Sequence, residues 1–101
     1  MARFEIVFSE QANTDIQNLT DAIMSEFQAP LTAFKYVQGL LNEIKKLNTI
    51  ADFLPVQKSA YFLQYGFNVK RLRYKKMTII YKVIGNAVYV IRVVTSSTIL
   101  T

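Results

Sequence analysis

Residues 69–94, VKRLRYKKMTIIYKVIGNAVYVIRVV, decide the fold. Met77 to Ile84 and Ala87 to Thr95 are rich in Ile, Val and Tyr, which suit a pleated surface. Gly85-Asn86 between them fits a two-residue hairpin turn. That turn predicts pairing of Ile84 with Ala87, Lys82 with Tyr89, Ile80 with Ile91 and Ile79 with Arg92. One face of the ribbon then holds Ile79, Tyr81, Val83, Val88, Val90, Arg92 and Val94. The other holds Thr78, Ile80, Lys82, Tyr89, Ile91 and Val93. A preceding strand is expected from about Phe67 to Arg73. With Lys75-Lys76 as its turn, Leu72 pairs with Ile79, Arg73 with Thr78 and Arg71 with Ile80. Arg71 and Arg73 then join Thr78, Lys82 and Tyr89 on one face. Lys70 falls on the apolar side, so either it snorkels or the register differs. Neither turn residue is Gly, Asn or Asp, which leaves a longer loop or a bulge open.

Upstream, Phe4, Ile6 and Phe8 alternate with Glu5 and Val7 and predict a short strand. Ser9 fits an N-cap. Ala12, Ile16, Leu19, Ile23 and Phe27 recur at helical spacing and predict a helix from about Glu10 to Phe27. Ala29-Pro30 breaks it, and Pro30 suits the first turn of a second helix. There Phe34, Val37, Leu41, Ile44 and Leu47 form the expected apolar stripe. Gly39 costs that helix about 1 kcal/mol relative to Ala unless a close approach requires it. The short connection makes the pair an antiparallel hairpin. Residues 48–66 are less legible: Pro55 and Asp52 point to a loop, Tyr61-Phe62-Leu63 reads as a helical turn or a short strand, and Gly66 marks entry to the next strand. The fold class is therefore α+β: one domain of residues 1–101, with a strand, a helical hairpin and a three-stranded meander forming a mainly antiparallel sheet packed on the helices.

Charge is divided along the chain. All seven acidic residues precede Phe53, with four basic ones, a balance of −3; the last 49 residues carry eight basic groups and no acidic one, +8. Such a separation predicts one electropositive face that attracts nucleic acid or an acidic protein. With no Cys and no His, disulfides, thiolate chemistry, zinc sites and Ser-His-Asp triads are excluded, and no cofactor or metal is implied. No stretch reaches the ~20 apolar residues of a membrane span. Glu5 falls where a secretory apolar segment would form, so a cytoplasmic protein is expected.

FEIVFSEQANTDI (residues 4–16) resembles the opening of RelE/ParE-type toxins, and residues 69–94 resemble their C-terminal signature of basic residues around a Leu, a turn, an aliphatic-Tyr strand and a Val-rich strand. The resemblance spans about residues 3–95. It implies the toxin of a bacterial type II toxin–antitoxin pair, of plasmid-stabilisation type, which arrests growth and is held inactive by an acidic antitoxin. RelE-like members cut mRNA on the ribosome with Lys, Arg and Tyr side chains; ParE-like members inhibit DNA gyrase without catalysis. Where the nucleases carry an Arg after the turn, this chain has Thr78. Where they carry a basic residue or His after the last strand, it has Thr95, Ser96, Ser97 and Thr98. The sequence also closes at Thr101 without the Tyr that some members use. These departures favour a non-catalytic mechanism and leave catalytic residues unassigned. The alternatives are a ribosome-dependent endoribonuclease using Arg71, Arg73 and Lys75, and a non-toxic basic nucleic-acid-binding module.

The candidate nucleic-acid or partner-binding residues are Arg71, Arg73, Lys75, Lys76, Lys82 and Tyr89. Each has a bland counterpart: a solvated strand face for the arginines, a charged turn for Lys75 and Lys76, a cross-strand pair for Lys82 and Tyr89. Tyr81 is expected in the core, and Arg92 is expected to pair with a carboxylate such as Glu5. Ile80, Ile91 and Val93 on the open face would form an apolar patch suited to a bound antitoxin peptide.

Overall fold

The structure, a computed structural model, describes residues 4–99; expectations for the Phe27 side chain and the Thr101 end fall outside it. Strand β1 (Glu5–Phe8) leads into α1 (Glu10–Phe27) and α2 (Pro30–Lys45). A short helix α3 (Leu47–Ile50), a 3-10 turn (Ala51–Phe53) and a short helix α4 (Ala60–Leu63) follow. Strands β2 (Lys70–Tyr74), β3 (Met77–Ile84) and β4 (Ala87–Thr95) complete the sheet, before a final 3-10 turn at Ser96–Thr98. The sheet order is β1-β4-β3-β2. The two meander pairings are antiparallel, while β1 runs parallel to β4, so the sheet is mixed.

Local chemistry sets the helix ends. Ser9 is extended (φ −68°, ψ 161°) and its hydroxyl oxygen accepts from Ala12 N at 2.9 Å, capping α1. At the other end Gln28 turns left-handed (φ 47°) and its N–H reaches Met24 O, after which Pro30 opens α2. The core lies between the hairpin and one face of the sheet, built on Leu40, Ile44, Leu47, Ile79, Tyr81, Val88 and Val90.

The apolar stripe of α2 is rotated from the expected one. Ala33, Leu40 and Ile44 are buried, whereas Phe34 is 63% exposed. The helix has apolar residues on two adjacent lines, and the line with small Ala33 packs inward. Gly39 is explained by an approach from the sheet: a side chain there would collide with the Tyr74 hydroxyl. Tyr74 itself meets Tyr36 edge-on at 5.6 Å.

Strand β2 begins later than expected because Gly66 (φ 98°) and Asn68 (φ 62°) keep the chain out of extended geometry. Its register is the expected one, with Leu72 opposite Ile79 and a two-residue turn at Lys75-Lys76. Lys75 takes the left-handed conformation (φ 52°). Its ammonium rests 5.4 Å from the ring centres of both Tyr36 and Tyr74.

The β3–β4 register follows expectation only from the turn to Tyr81, which pairs with Val90. Beyond it Ile80 pairs with Arg92 and Ile79 with Val93, so Ile91 is an extra residue in a bulge. The bulge forms where β1 ends. Past Phe8 the free edge of β4 is served by other groups: the Ser9 hydroxyl donates to Ile91 O (2.8 Å), and Val93 N donates to the Asp15 carboxylate (2.9 Å). One added residue reverses the facing of everything after it. Val93 turns to the helix side, and Val94 joins Ile80 on the other.

The expected bare apolar patch is therefore not formed. Phe62 of α4, only 1% exposed, packs with Val69, Ile80 and Val94, so the chain covers this part of the sheet itself. Of the two readings open for residues 61–63, the helical turn is the one adopted.

A cationic cleft on the sheet face away from the helical hairpin

Alternation along β2 sends Leu72 and Tyr74 toward the helices and exposes Arg71 and Arg73 on the opposite face. Together with Lys76 they line an open cleft of about 730 Å³. Its far wall comes from the end of β4 and the following turn, through Thr95, Ser96, Ser97 and Ile99, with Thr78 between the walls. The backbone closes that corner, since Ser96 N donates to Lys76 O at 2.7 Å.

The cations differ in how they are held. The Arg71 guanidinium sits 5.7 Å from the centre of the Phe62 ring, the side chain that seals the smaller apolar cluster. Arg73 spends its Nε–H on Lys75 O at 3.2 Å. No carboxylate of a described residue pairs with Arg71, Arg73 or Lys76; the ion pairs among described residues join Lys46 to Glu43 and Arg92 to Asp15.

The positions that depart from the nuclease pattern meet here. Thr78, 2% exposed, and Ser96 share a hydrogen bond between hydroxyls at 2.8 Å. Thr95 and Thr98 share another at 2.7 Å. The cleft is thus walled by cations and by hydroxyls, three of which are already engaged with one another or a neighbour. Guanidinium groups cannot accept a proton at physiological pH. The contribution of the hydroxyls was not foreseen as lining, although TSST after a Val-rich strand was the available signal.

The six candidate residues are divided by the fold. Arg71, Arg73 and Lys76 come together. Lys75 points to the helix side, over Tyr36 and Tyr74. Lys82 and Tyr89 pair with each other toward the β3–β4 turn, Lys82 lying against Gly66, and neither lines the cleft.

The other basic residues near the sheet are diverted as well, so the single cationic face expected from the charge division shrinks to this cleft. Lys70 reaches past the apolar side to donate to Asp52 O (3.0 Å) and Ala51 O (3.3 Å), which satisfies the snorkelling alternative with the register intact. Arg92 pairs with Asp15, not with Glu5: its Nε donates to Oδ2 at 2.8 Å and its Nη2 to Oδ1 at 3.1 Å. Glu5 lies opposite Ala87, toward the other end of β4, and cannot reach it. Burial works to raise the Asp15 carboxyl, but the Arg92 and Val93 hydrogen bonds outweigh it and hold it below the ordinary value. Tyr81 is a core residue as expected, its hydroxyl donating to Ala51 O at 2.9 Å. Burial, with Asp52 nearby, pushes this phenol well above its ordinary range.

Among the described residues, no group of His, Cys, Asp and Glu is placed to hold a metal ion, and no helix is long and apolar enough to cross a membrane. No curated protein matches this chain at a significant level. A chain of the chromosomal ParDE toxin–antitoxin system of P. aeruginosa has the same fold, with a TM-score of 0.75 and 16% identity over 92% of this chain and 96% of that one. A chain of the E. coli DinJ–YafQ toxin–antitoxin complex aligns over 98% of this chain and 99% of its own at 18% identity, with a TM-score of 0.45 that is too loose to build on. The sequence profile describing the ParE toxin of type II toxin–antitoxin systems, parDE, matches residues 6–100. With that profile running through almost every residue of both the helical hairpin and the meander, the chain belongs to the ParE toxin family.

Proposed function

We propose that this chain is a single-domain cytoplasmic toxin that arrests growth by binding its target without cutting it, and that a cognate acidic antitoxin neutralises it. The observation that carries the non-catalytic part is the composition of the cleft. Arg71, Arg73 and Lys76 can stabilise negative charge, but Thr78 and Ser96 occupy the positions of the nuclease groups and are bonded to each other. General acid–base cleavage needs a group that takes up a proton and returns it. The cleft lining contains no carboxylate, imidazole or phenol, and Lys76 is its one side chain of a proton-transferring type, with no second such group to complete an acid–base pair. Family membership and the fold shared with the P. aeruginosa ParDE chain support DNA gyrase as the target and a ParD-like partner as the antitoxin.

The test is induced expression of the chain alone. Growth should stop, transcripts should keep intact ends, and a DNA-damage response should appear; co-expression of a small acidic protein encoded alongside should restore growth. Normal colonies would end the toxin reading. Arrest accompanied by new breaks within translated messages would replace gyrase inhibition with the endoribonuclease alternative.

A further inference from the structure

The cleft has the makings of a ligand site that does not depend on toxicity. Three cations face one concavity with no carboxylate of a described residue paired to any of them. Its volume of about 730 Å³ lies within the range of built ligand sites. The Arg71 guanidinium lies 5.7 Å from the Phe62 ring centre and makes no side-chain hydrogen bond to a described residue, so its nitrogens remain as donors for paired hydrogen bonds to phosphate. Arg73 has committed only its Nε–H, so its terminal nitrogens remain as donors. Ser97 adds an exposed hydroxyl.

We propose that this cleft holds the phosphodiester backbone of a single-stranded nucleic acid through Arg71, Arg73 and Lys76, and leaves the backbone unbroken. Backbone recognition follows from the lining, which offers no aromatic face on which a base could stack. A single strand is narrow enough to lay its phosphates inside a cleft of about 730 Å³, whereas a duplex can only rest across its mouth. An acidic peptide is disfavoured: Ile99 is the one apolar side chain of the lining, so flanking peptide residues would find little to bury. Retention without cleavage follows from guanidiniums that stay charged and from Thr78 and Ser96 hydroxyls already bonded to each other.

The experiment measures anisotropy of a 5′-labelled 12-nucleotide single-stranded DNA titrated with the full chain between 50 and 200 mM KCl. Three phosphate contacts predict a slope of log K against log salt of about −2, since each contributes about 0.7 on a single strand. The Arg73→Gln/Lys76→Gln variant should flatten it to about −0.7, the value of the one remaining contact, and weaken binding at least tenfold at the lowest salt. Arg71 is left in place because it packs on Phe62. Lys35→Gln/Lys45→Gln, the same charge loss on exposed α2 positions, should leave the slope as it was. Equal flattening by both variants, or none by the cleft variant, overturns the proposal. So does displacement of the DNA by polyglutamate as effectively as by unlabelled oligonucleotide, which would assign the cleft to an acidic protein. An RNA of the same sequence should be recovered intact; cut products would overturn the unbroken-backbone half. Growth arrest plays no part in these readouts, so failure here and failure of the toxin reading are separate results.

Discussion

The two faces of the four-stranded sheet serve opposite ends. On the helix side, Ile79, Tyr81, Val88, Val90 and the swapped Val93 join Leu40, Ile44 and Leu47 in one continuous core. On the other side, Phe62, Val69, Ile80 and Val94 form a small satellite, and the sheet beyond it ends in a cleft of cations and hydroxyls. The contrast teaches where stability can be separated from recognition. The first face holds the fold together, and the second is closed by one short helix, with its cationic end contributing little to the fold.

The largest effect should come from the helix side. Leu40→Ala removes a fully buried side chain between the hairpin and the sheet and is expected to cost about 3 kcal/mol in urea denaturation. A cost under about 1 kcal/mol would mean that the helices contribute far less than their burial implies. Phe62→Ala is next, at about 2 kcal/mol, below the usual range for a buried Phe because four-residue α4 can lift away locally. Hydrogen exchange should then accelerate over residues 57–69 while α1 and α2 keep their protection. Uniform acceleration across the chain would merge the two clusters into one cooperative unit and remove the distinction.

A third substitution tests the seam between the faces, where Asp15 serves both Arg92 and the bulged backbone of β4. Asp15→Asn should cost about 1.5 kcal/mol at neutral pH, below the full value of a broken buried pair because Arg92 is 30% exposed. The carboxyl is held below its ordinary value, so its contribution is complete above the unfolded carboxylate pKa of about 4 and disappears as pH falls through the lower folded value. The wild-type advantage over Asp15→Asn should therefore persist at pH 6 and vanish in strong acid; a gap that is flat with pH would sever the carboxylate from the stability. The smallest effect belongs to the cleft. Arg73→Gln should change the unfolding free energy in urea by less than about 0.5 kcal/mol, as expected for a surface side chain whose one hydrogen bond is local. A loss of 2 kcal/mol or more would make the cleft part of the scaffold.

Much of this molecule could be read without coordinates. Ser9, the spacing of Ala12 through Ile23 and Pro30 set the first helix and the start of the second, because helix capping and periodicity are local properties. Gly85-Asn86 set the hairpin register near the turn for the same reason. The α2 face was misjudged because two apolar lines compete there and only the partner surface chooses between them. Thr78 and Thr95–Thr98 were noticed as departures from a nuclease, yet their role as the wall of a cleft needs two segments far apart in sequence to meet.

Sequence alone determined the order of β1, α1, α2 and the meander strands, the turn at Gly85-Asn86 and the exposure of Arg71 and Arg73. All of these depend on contacts within a few residues or on composition along the chain. Tertiary structure decided the parallel docking of β1, the bulge at Ile91, the Asp15–Arg92 pair, and the gathering of Arg71, Arg73 and Lys76 into one cleft while Lys70, Lys75 and Arg92 are engaged elsewhere. Those outcomes arise where an edge left short by one strand must find donors and acceptors from elsewhere. A backbone group facing the sheet edge is satisfied by whatever folding brings alongside, and nothing in its own neighbourhood of the sequence names that partner.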